Sequence, residues 1–146
     1  MSDGLPAAAS APCPTGTPSL AAPVAGAAVL LAEDNEMTLD AVGDYLESLG
    51  YHLIIARTGL EALARAHAYP PALILMDVQL PLLDGMEVIR RLRSDPRFAT
   101  TPIIATTALA MPGDRERCLQ AGASQYMSKP MRLNELAALM HRLLKP

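Results

Sequence analysis

Four apolar runs stand out along the chain: Ala27–Ala32 (AAVLLA), His52–Ala56 (HLIIA), Ala72–Met76 (ALILM) and Pro102–Ala105 (PIIA). A weaker fifth follows at Ser124–Met127 (SQYM). These runs are continuous rather than alternating, which predicts strands covered on both faces. Between them the spacing changes to that of helices. Val42, Tyr45, Leu46 and Leu49 fall at i, i+3, i+4 and i+7, and Gly50 supplies a left-handed stop. Thr58-Gly-Leu-Glu61 has the form of a capping box, with Leu60, Leu63, Ala64 and His67 following on one face. Asp84-Gly-Met-Glu87 repeats the cap ahead of Val88, Ile89 and Leu92. Pro112 can open a fourth helix, with Leu119 on its inner face and Gly122 as its stop. Leu133, Leu136, Met140 and Leu143 mark a fifth.

Five strand-then-helix units with right-handed crossovers predict an α/β fold, a parallel sheet with helices on both faces. Ligands of such sheets bind beyond the carboxyl ends of the strands, where the strand order reverses. The residues that end the strands therefore carry the chemistry. Strand one ends in Glu33-Asp34, strand three in Asp77, strand four in Thr106-Thr107-Ala108 and strand five in Lys129-Pro130. Three acids, a hydroxyl and a lysine converge on one edge. Clustered carboxylates repel, and a hard cation such as Mg²⁺ relieves that repulsion through oxygen ligands. A carboxylate can also attack phosphorus to give an aspartyl-phosphate. A metal, a lysine and a hydroxyl would stabilise the charge spread over a transferring phosphoryl group.

Composition narrows the picture. Residues 1–26 are rich in proline and alanine, with Asp3 as their one charged side chain, and are expected to form a disordered tail. That leaves 27–146 as one domain, large enough for a proper core. The net charge is −3, with four tyrosines, one phenylalanine and no tryptophan, so neither a nucleic-acid groove nor a stacking platform is indicated. Cys13 lies in the tail and Cys118 in the domain, which suits reduced thiols in the cytoplasm better than a disulfide framework. No apolar run approaches the ~20 residues of a membrane span. His52, His67 and His141 show no metal spacing.

With these pieces in order, residues 28–145 resemble the receiver domain of bacterial two-component response regulators. The resemblance rests on "VLLAEDN", "LILMDVQLPLLDG", "PIIATTA" and "YMSKP", each weak alone and specific together. It implies a flavodoxin-like (βα)5 three-layer sandwich with a five-stranded parallel sheet in the order 2-1-3-4-5. It also implies roles. Asp77 would accept the phosphoryl group. Glu33 and Asp34 would hold Mg²⁺ with Asp77 and the backbone carbonyl of Gln79. Thr107 would be the switch hydroxyl, Lys129 the cation on the phosphoryl group, and Tyr126 the switch aromatic. The bond before Pro130 would be cis, and Leu80-Pro81 with Asp84-Gly85 would close the site. Leu109 and Gln79 occupy positions that tune dephosphorylation in the family, and an apolar Leu109 cannot position a water.

The resemblance further implies a cytoplasmic phosphorelay switch, not a classical enzyme, that catalyses its own phosphorylation and slow dephosphorylation. Its donor would be a histidine kinase or a histidine phosphotransfer protein, docking around Met37, Thr38, Ala41 and Met131. A downstream effector would read the helix-four, strand-five and helix-five face of a monomer or weak dimer, without nucleic acid or membrane. Because the chain ends with helix five, it is expected to be a stand-alone regulator or a receiver cut from a hybrid kinase. Three alternatives stand beside this reading. An aspartate-nucleophile phosphatase of the haloacid-dehalogenase type needs an acid two residues beyond the nucleophile, where Gln79 stands. A nucleotide or flavin binder of this fold would have its phosphate repelled by Glu33-Asp34, and the chain has no GxxxxGK[ST] or GxGxxG. A receiver-like scaffold would usually have lost an acid or the lysine.

Overall fold

The computed structural model describes residues 26–108 and 111–144. The segment expected to be a tail, apart from Gly26, and Leu109 lie outside the described residues. The elements follow in order as β1 (Ala28–Ala32), α1 (Glu36–Ser48), β2 (His52–Ala56), α2 (Gly59–Ala68), β3 (Leu73–Asp77), α3 (Gly85–Arg93), a 3-10 turn (Pro96–Phe98), β4 (Ile103–Thr107), α4 (Asp114–Ala121), β5 (Gln125–Ser128) and α5 (Leu133–Leu144). The strands form one parallel sheet in the order β2-β1-β3-β4-β5. This is the flavodoxin-like order.

The unbroken apolar runs are explained by helices on both faces. Alternate residues of each strand enter different cores. Leu30, Ile74, Met76 and Ile103 pack with α2, α3 and α4. Val29, Leu31, Leu73, Leu75 and Ile104 pack with α1 and α5. All five residues of β3 and of β4 are buried. Each buried leucine or isoleucine contributes about 1.5–3 kcal/mol. β5 is the outer strand on the opposite side from β2, which is why its residues are only half-buried or exposed and its pattern is faint. Its pairing with β4, from Ile104↔Gln125 to Thr107↔Ser128, fixes it nonetheless.

Two helices present a different face from the one their spacing suggested. In α2 the buried residues are Gly59, Ala62 and Ala66, with Leu63 half-buried; Leu60 is 52% exposed, and Ala64 and His67 also face outward. The cause is close approach: a Cβ at Gly59 would lie 1.9 Å from the Leu83 carbonyl oxygen. Only small side chains fit beneath a helix seated that tightly, so its leucines turn aside or outward. Thr58 caps α2 through the Glu61 N–H, but Glu61 accepts from the Arg57 N–H at 2.9 Å rather than from the cap residue itself. In α4 the buried residues are Cys118 and Ala121, with Leu119 half-buried. This helix opens after Gly113 in a left-handed conformation (φ 87°), two residues later than a start at Pro112.

Arg93, at the end of α3, clamps the end of the sheet remote from the acids. Its guanidinium donates to the Gly122 carbonyl at 2.8 Å, the Phe98 carbonyl at 2.5 Å and the Ser124 hydroxyl at 3.3 Å. One cation thus satisfies carbonyls at the ends of α4 and of the 3-10 turn, where helix termini leave unpaired acceptors. Sequence reading gave no sign of this clamp, because most of its partners are backbone carbonyls.

Leu82, in the loop after β3, is 75% exposed and left-handed (φ 69°). A branched side chain in that region costs about 1–2 kcal/mol. Leu82→Asn, which tolerates the conformation, is expected to raise the urea-unfolding free energy by up to about 1 kcal/mol. An unchanged or lowered value would show that the side chain returns packing energy to the fold.

Candidate functional site

β1 and β3 are adjacent in the sheet and end side by side. That places Glu33, just past β1, next to Asp77, the last residue of β3. Glu33 and Asp77 are buried, and Asp77 keeps only 3% of its surface. Asp34 is exposed at the rim. One carboxylate oxygen from each of the three lies within 4.8 Å of the others. No other set of three or more possible ligands is found among the described residues.

Lys129 reaches into this cluster from the end of β5. Its Nζ donates to Glu33 Oε1 at 2.5 Å and to Asp77 Oδ2 at 3.0 Å. Its side chain is only 14% exposed. The remaining oxygens are also held. The Gln79 N–H donates to Asp77 Oδ1 at 2.9 Å, and the Asn35 N–H donates to Glu33 Oε2 at 3.1 Å. Asn35 then caps α1 by accepting from the Thr38 N–H at 3.0 Å. Asn35 was missed as a positioning residue, although an Asn before a helical pattern is a cap signal.

Burial and the neighbouring charges set the ionisation of the cluster. Burial pushes the Glu33 carboxyl up; the Lys129 hydrogen bond opposes this and the Asp77 charge reinforces it, leaving it above its ordinary value. Burial alone would pull the Lys129 ammonium down, but hydrogen bonds to Glu33 and Asp77 outweigh it and the pKa is raised.

The backbone shapes the same site. A Cβ at Gly85 would lie 2.1 Å from the Asp77 carbonyl oxygen, so only glycine lets α3 begin this close to the end of β3. Asp84 caps α3 through the Met86 N–H at 2.8 Å. The Lys129–Pro130 peptide is cis.

Thr107 ends β4 buried, and Tyr126 is half-buried on β5. Both line a cavity of about 230 Å³ between β4, α3 and α4, with Gln79, Met86 and Cys118 on its other walls. Cys118 is a free thiol. On the opposite side, Met37, Thr38, Ala41 and Met131 line a separate depression of about 260 Å³ with Lys129 and Pro130. Every residue singled out from the strand ends, Glu33, Asp34, Asp77, Thr107 and Lys129, therefore lies in or beside one site.

Three acids and a lysine at the carboxyl edge of a 2-1-3-4-5 sheet define a class of signalling domain, and comparison with known proteins agrees. The model of the response regulator receiver domain matches residues 29–141, and the chain belongs to that family. It is 47% identical over 103 residues to the polar-differentiation response regulator DivK of Brucella ovis, covering 70% of this chain and 84% of that one. The receiver domain of the Pseudomonas aeruginosa sensor histidine kinase PA1611 has 40% identity and a TM-score of 0.76, over 82% of this chain and 98% of that one. That structure holds a magnesium ion coordinated in its active-site cleft. The signal receiver domain of a histidine kinase from Syntrophus aciditrophicus has 34% identity and a TM-score of 0.76, over 82% and 90%. The protein is a signalling domain of the two-component type. Among the described residues no helix is long and apolar enough to cross a membrane.

Removing the lysine should expose the cost of the buried acids. A carboxyl whose folded pKa is raised stabilises the fold below its unfolded pKa and loses that contribution as pH rises through the folded value. Without Lys129 the upward push on Glu33 grows. Lys129→Met should therefore match wild type near pH 4 and fall behind above the ordinary value of 4.5. At neutral pH the deficit should reach roughly 3 kcal/mol. Urea unfolding at a series of pH values measures this, and a gap independent of pH would contradict it.

Proposed function

We propose that Asp77 accepts a phosphoryl group from a phosphohistidine in a Mg²⁺-dependent phosphorelay, and that the resulting aspartyl-phosphate switches partner binding. The observation that carries this reading is the buried Asp77 carboxylate, oriented by the Gln79 N–H and the Lys129 ammonium beside two further acids. An Asp77 oxygen attacks phosphorus, the P–N bond to the donor histidine breaks, and the ring nitrogen keeps the electron pair. Glu33, Asp34, Asp77 and the Gln79 carbonyl are the ligands we assign to magnesium; the donor set is all oxygen, which suits a hard cation. When bound, the metal neutralises charge on the carboxylates and the phosphoryl oxygens. Lys129, already against Asp77 Oδ2, shifts onto the phosphoryl group. Gln79 in place of an acid leaves no general base for rapid hydrolysis, which favours a switch over a phosphatase.

The donor, a histidine kinase or histidine phosphotransfer protein, docks at the Met37–Met131 depression beside Lys129. The output face is α4, β5 and α5, on a cytoplasmic monomer or weak dimer. Thr107 and Tyr126 share one cavity, so movement of the hydroxyl toward phosphate opens space for the ring, two packings of one element biased by a ligand.

Incubation with acetyl phosphate and Mg²⁺ should add one phosphoryl group by mass to wild type and none to Asp77→Asn. Chelation of the metal should abolish the addition. A stable phosphoryl group on Asp77→Asn would sink the assignment.

Thr107→Ala should still take up phosphate, because Asp77 and Lys129 remain. Amide NMR shifts along α4 on phosphorylation should shrink severalfold in that variant. Wild-type shifts would remove Thr107 from the coupling.

We place the receiver domain at 27–146. A chain beginning at residue 27 should keep the melting temperature and phosphorylation rate of the longer one. A clear loss of either would mean that the preceding residues pack on the domain.

A further inference from the structure

Among the described residues β2 is an outer strand of the sheet, with no strand paired to its far edge, and that edge is apolar. Residues His52–Ala56 include no lysine, proline or acid, the residues that commonly guard an edge against pairing. The His52 N–H donates to the Ala27 carbonyl and the Ala56 carbonyl accepts from the Glu33 N–H, both at 2.9 Å. In a parallel ladder alternate residues bond to a given neighbour. Residues 52, 54 and 56 thus turn their backbone groups to β1, and Leu53 and Ile55 turn theirs to the open edge.

Both sides of this edge are grooved. On the α1 side a depression of about 200 Å³ has Leu53 and Ile55 in its floor and Asp40, Asp44 and Glu47 along its wall. On the α2 side a wider one of about 650 Å³ runs beside Ile54, bounded by Arg65, Tyr69 and Pro70. The α1 wall is one-signed. Glu36, Asp40 and Asp44 stand four residues apart, so like charges are neighbours on the helix, and α1 contains no lysine or arginine. Arg57 pairs with Glu36 at one end of the row, while Asp40, Asp44 and Glu47 are exposed.

We infer that β2 takes up an extended segment of a partner protein as a sixth strand, with basic side chains at every second position facing the α1 acids and apolar ones between them facing the Ile54 side. The free backbone groups supply main-chain hydrogen bonds, and strand periodicity sends alternate side chains to opposite grooves. Arg65 on the α2 side disfavours basic residues there and sets the alternation. A second copy fits poorly: antiparallel edge pairing about a two-fold axis would lay the two acid rows side by side. Residues 1–25 fit poorly too, because they contain no lysine or arginine. The inference does not depend on phosphate at Asp77.

The test titrates the ¹⁵N-labelled full chain with the capped peptide KVKVKVK. Saturable shifts are expected at the Leu53 and Ile55 amides. Methylating alternate peptide nitrogens should abolish them, and the isomer KKKKVVV should not reproduce them. Asp40→Lys/Asp44→Lys should weaken KVKVKVK at least about tenfold and bind EVEVEVE in its place. Shifts confined to α1 and equal for both lysine peptides would mean diffuse charge attraction and overturn the inference. No saturation at about 1 mM peptide, or no exchange of preference in the double variant, would overturn it as well.

Discussion

The site depends on one ammonium group held between two buried carboxylates. Glu33 and Asp77 end adjacent strands, and packing removes both from water. Two anions at that separation in a poorly polarisable interior are costly. Lys129 offsets the cost from a third strand end, with one contact to each acid. The compensation is local. On the open side, where Asp34 is exposed, the three carboxylates form an all-oxygen set of the kind a hard cation prefers.

This arrangement follows from topology. A parallel sheet places every strand's carboxyl end on one edge, and a reversal of strand order between β1 and β3 leaves a crevice there. Residues distant in the chain, from Glu33 to Lys129, then meet at the ends of the strands. The loop after β3 has a narrower task. Gln79 fixes one Asp77 oxygen, and Gly85 lets α3 start against the Asp77 carbonyl.

The strands were legible because β1, β3 and β4 are covered on both sides, leaving uninterrupted apolar runs. The candidate site was legible because four of the five strands end at or next to a polar residue on the same sheet edge: Glu33, Asp77, Thr107 and Lys129. β5 was faint because it is short and its residues are only half-buried or exposed. The inner face of α2 was misjudged because periodicity weights large side chains, whereas contact with the Leu83 carbonyl selects Ala62 and Ala66. Leu119 was favoured over Cys118 in α4 for the same reason. Arg93 escaped notice because it binds chiefly main-chain carbonyls, which have no sequence signature, whereas Asn35 was passed over despite its cap signal ahead of α1.

The Arg93 clamp makes α4 a lever. Its carboxyl end is tied through the Gly122 carbonyl to α3, while its other end begins after Gly113 at a turn in which the Met111 N–H donates to the Asp114 carboxylate and the Asp114 N–H to the Met111 carbonyl. With one end pinned, displacement of α4 becomes rotation about a fulcrum at Gly122 rather than sliding along the sheet. The largest excursion then falls at the end nearest Thr107, and the end beside Ser124 stays in register with β5.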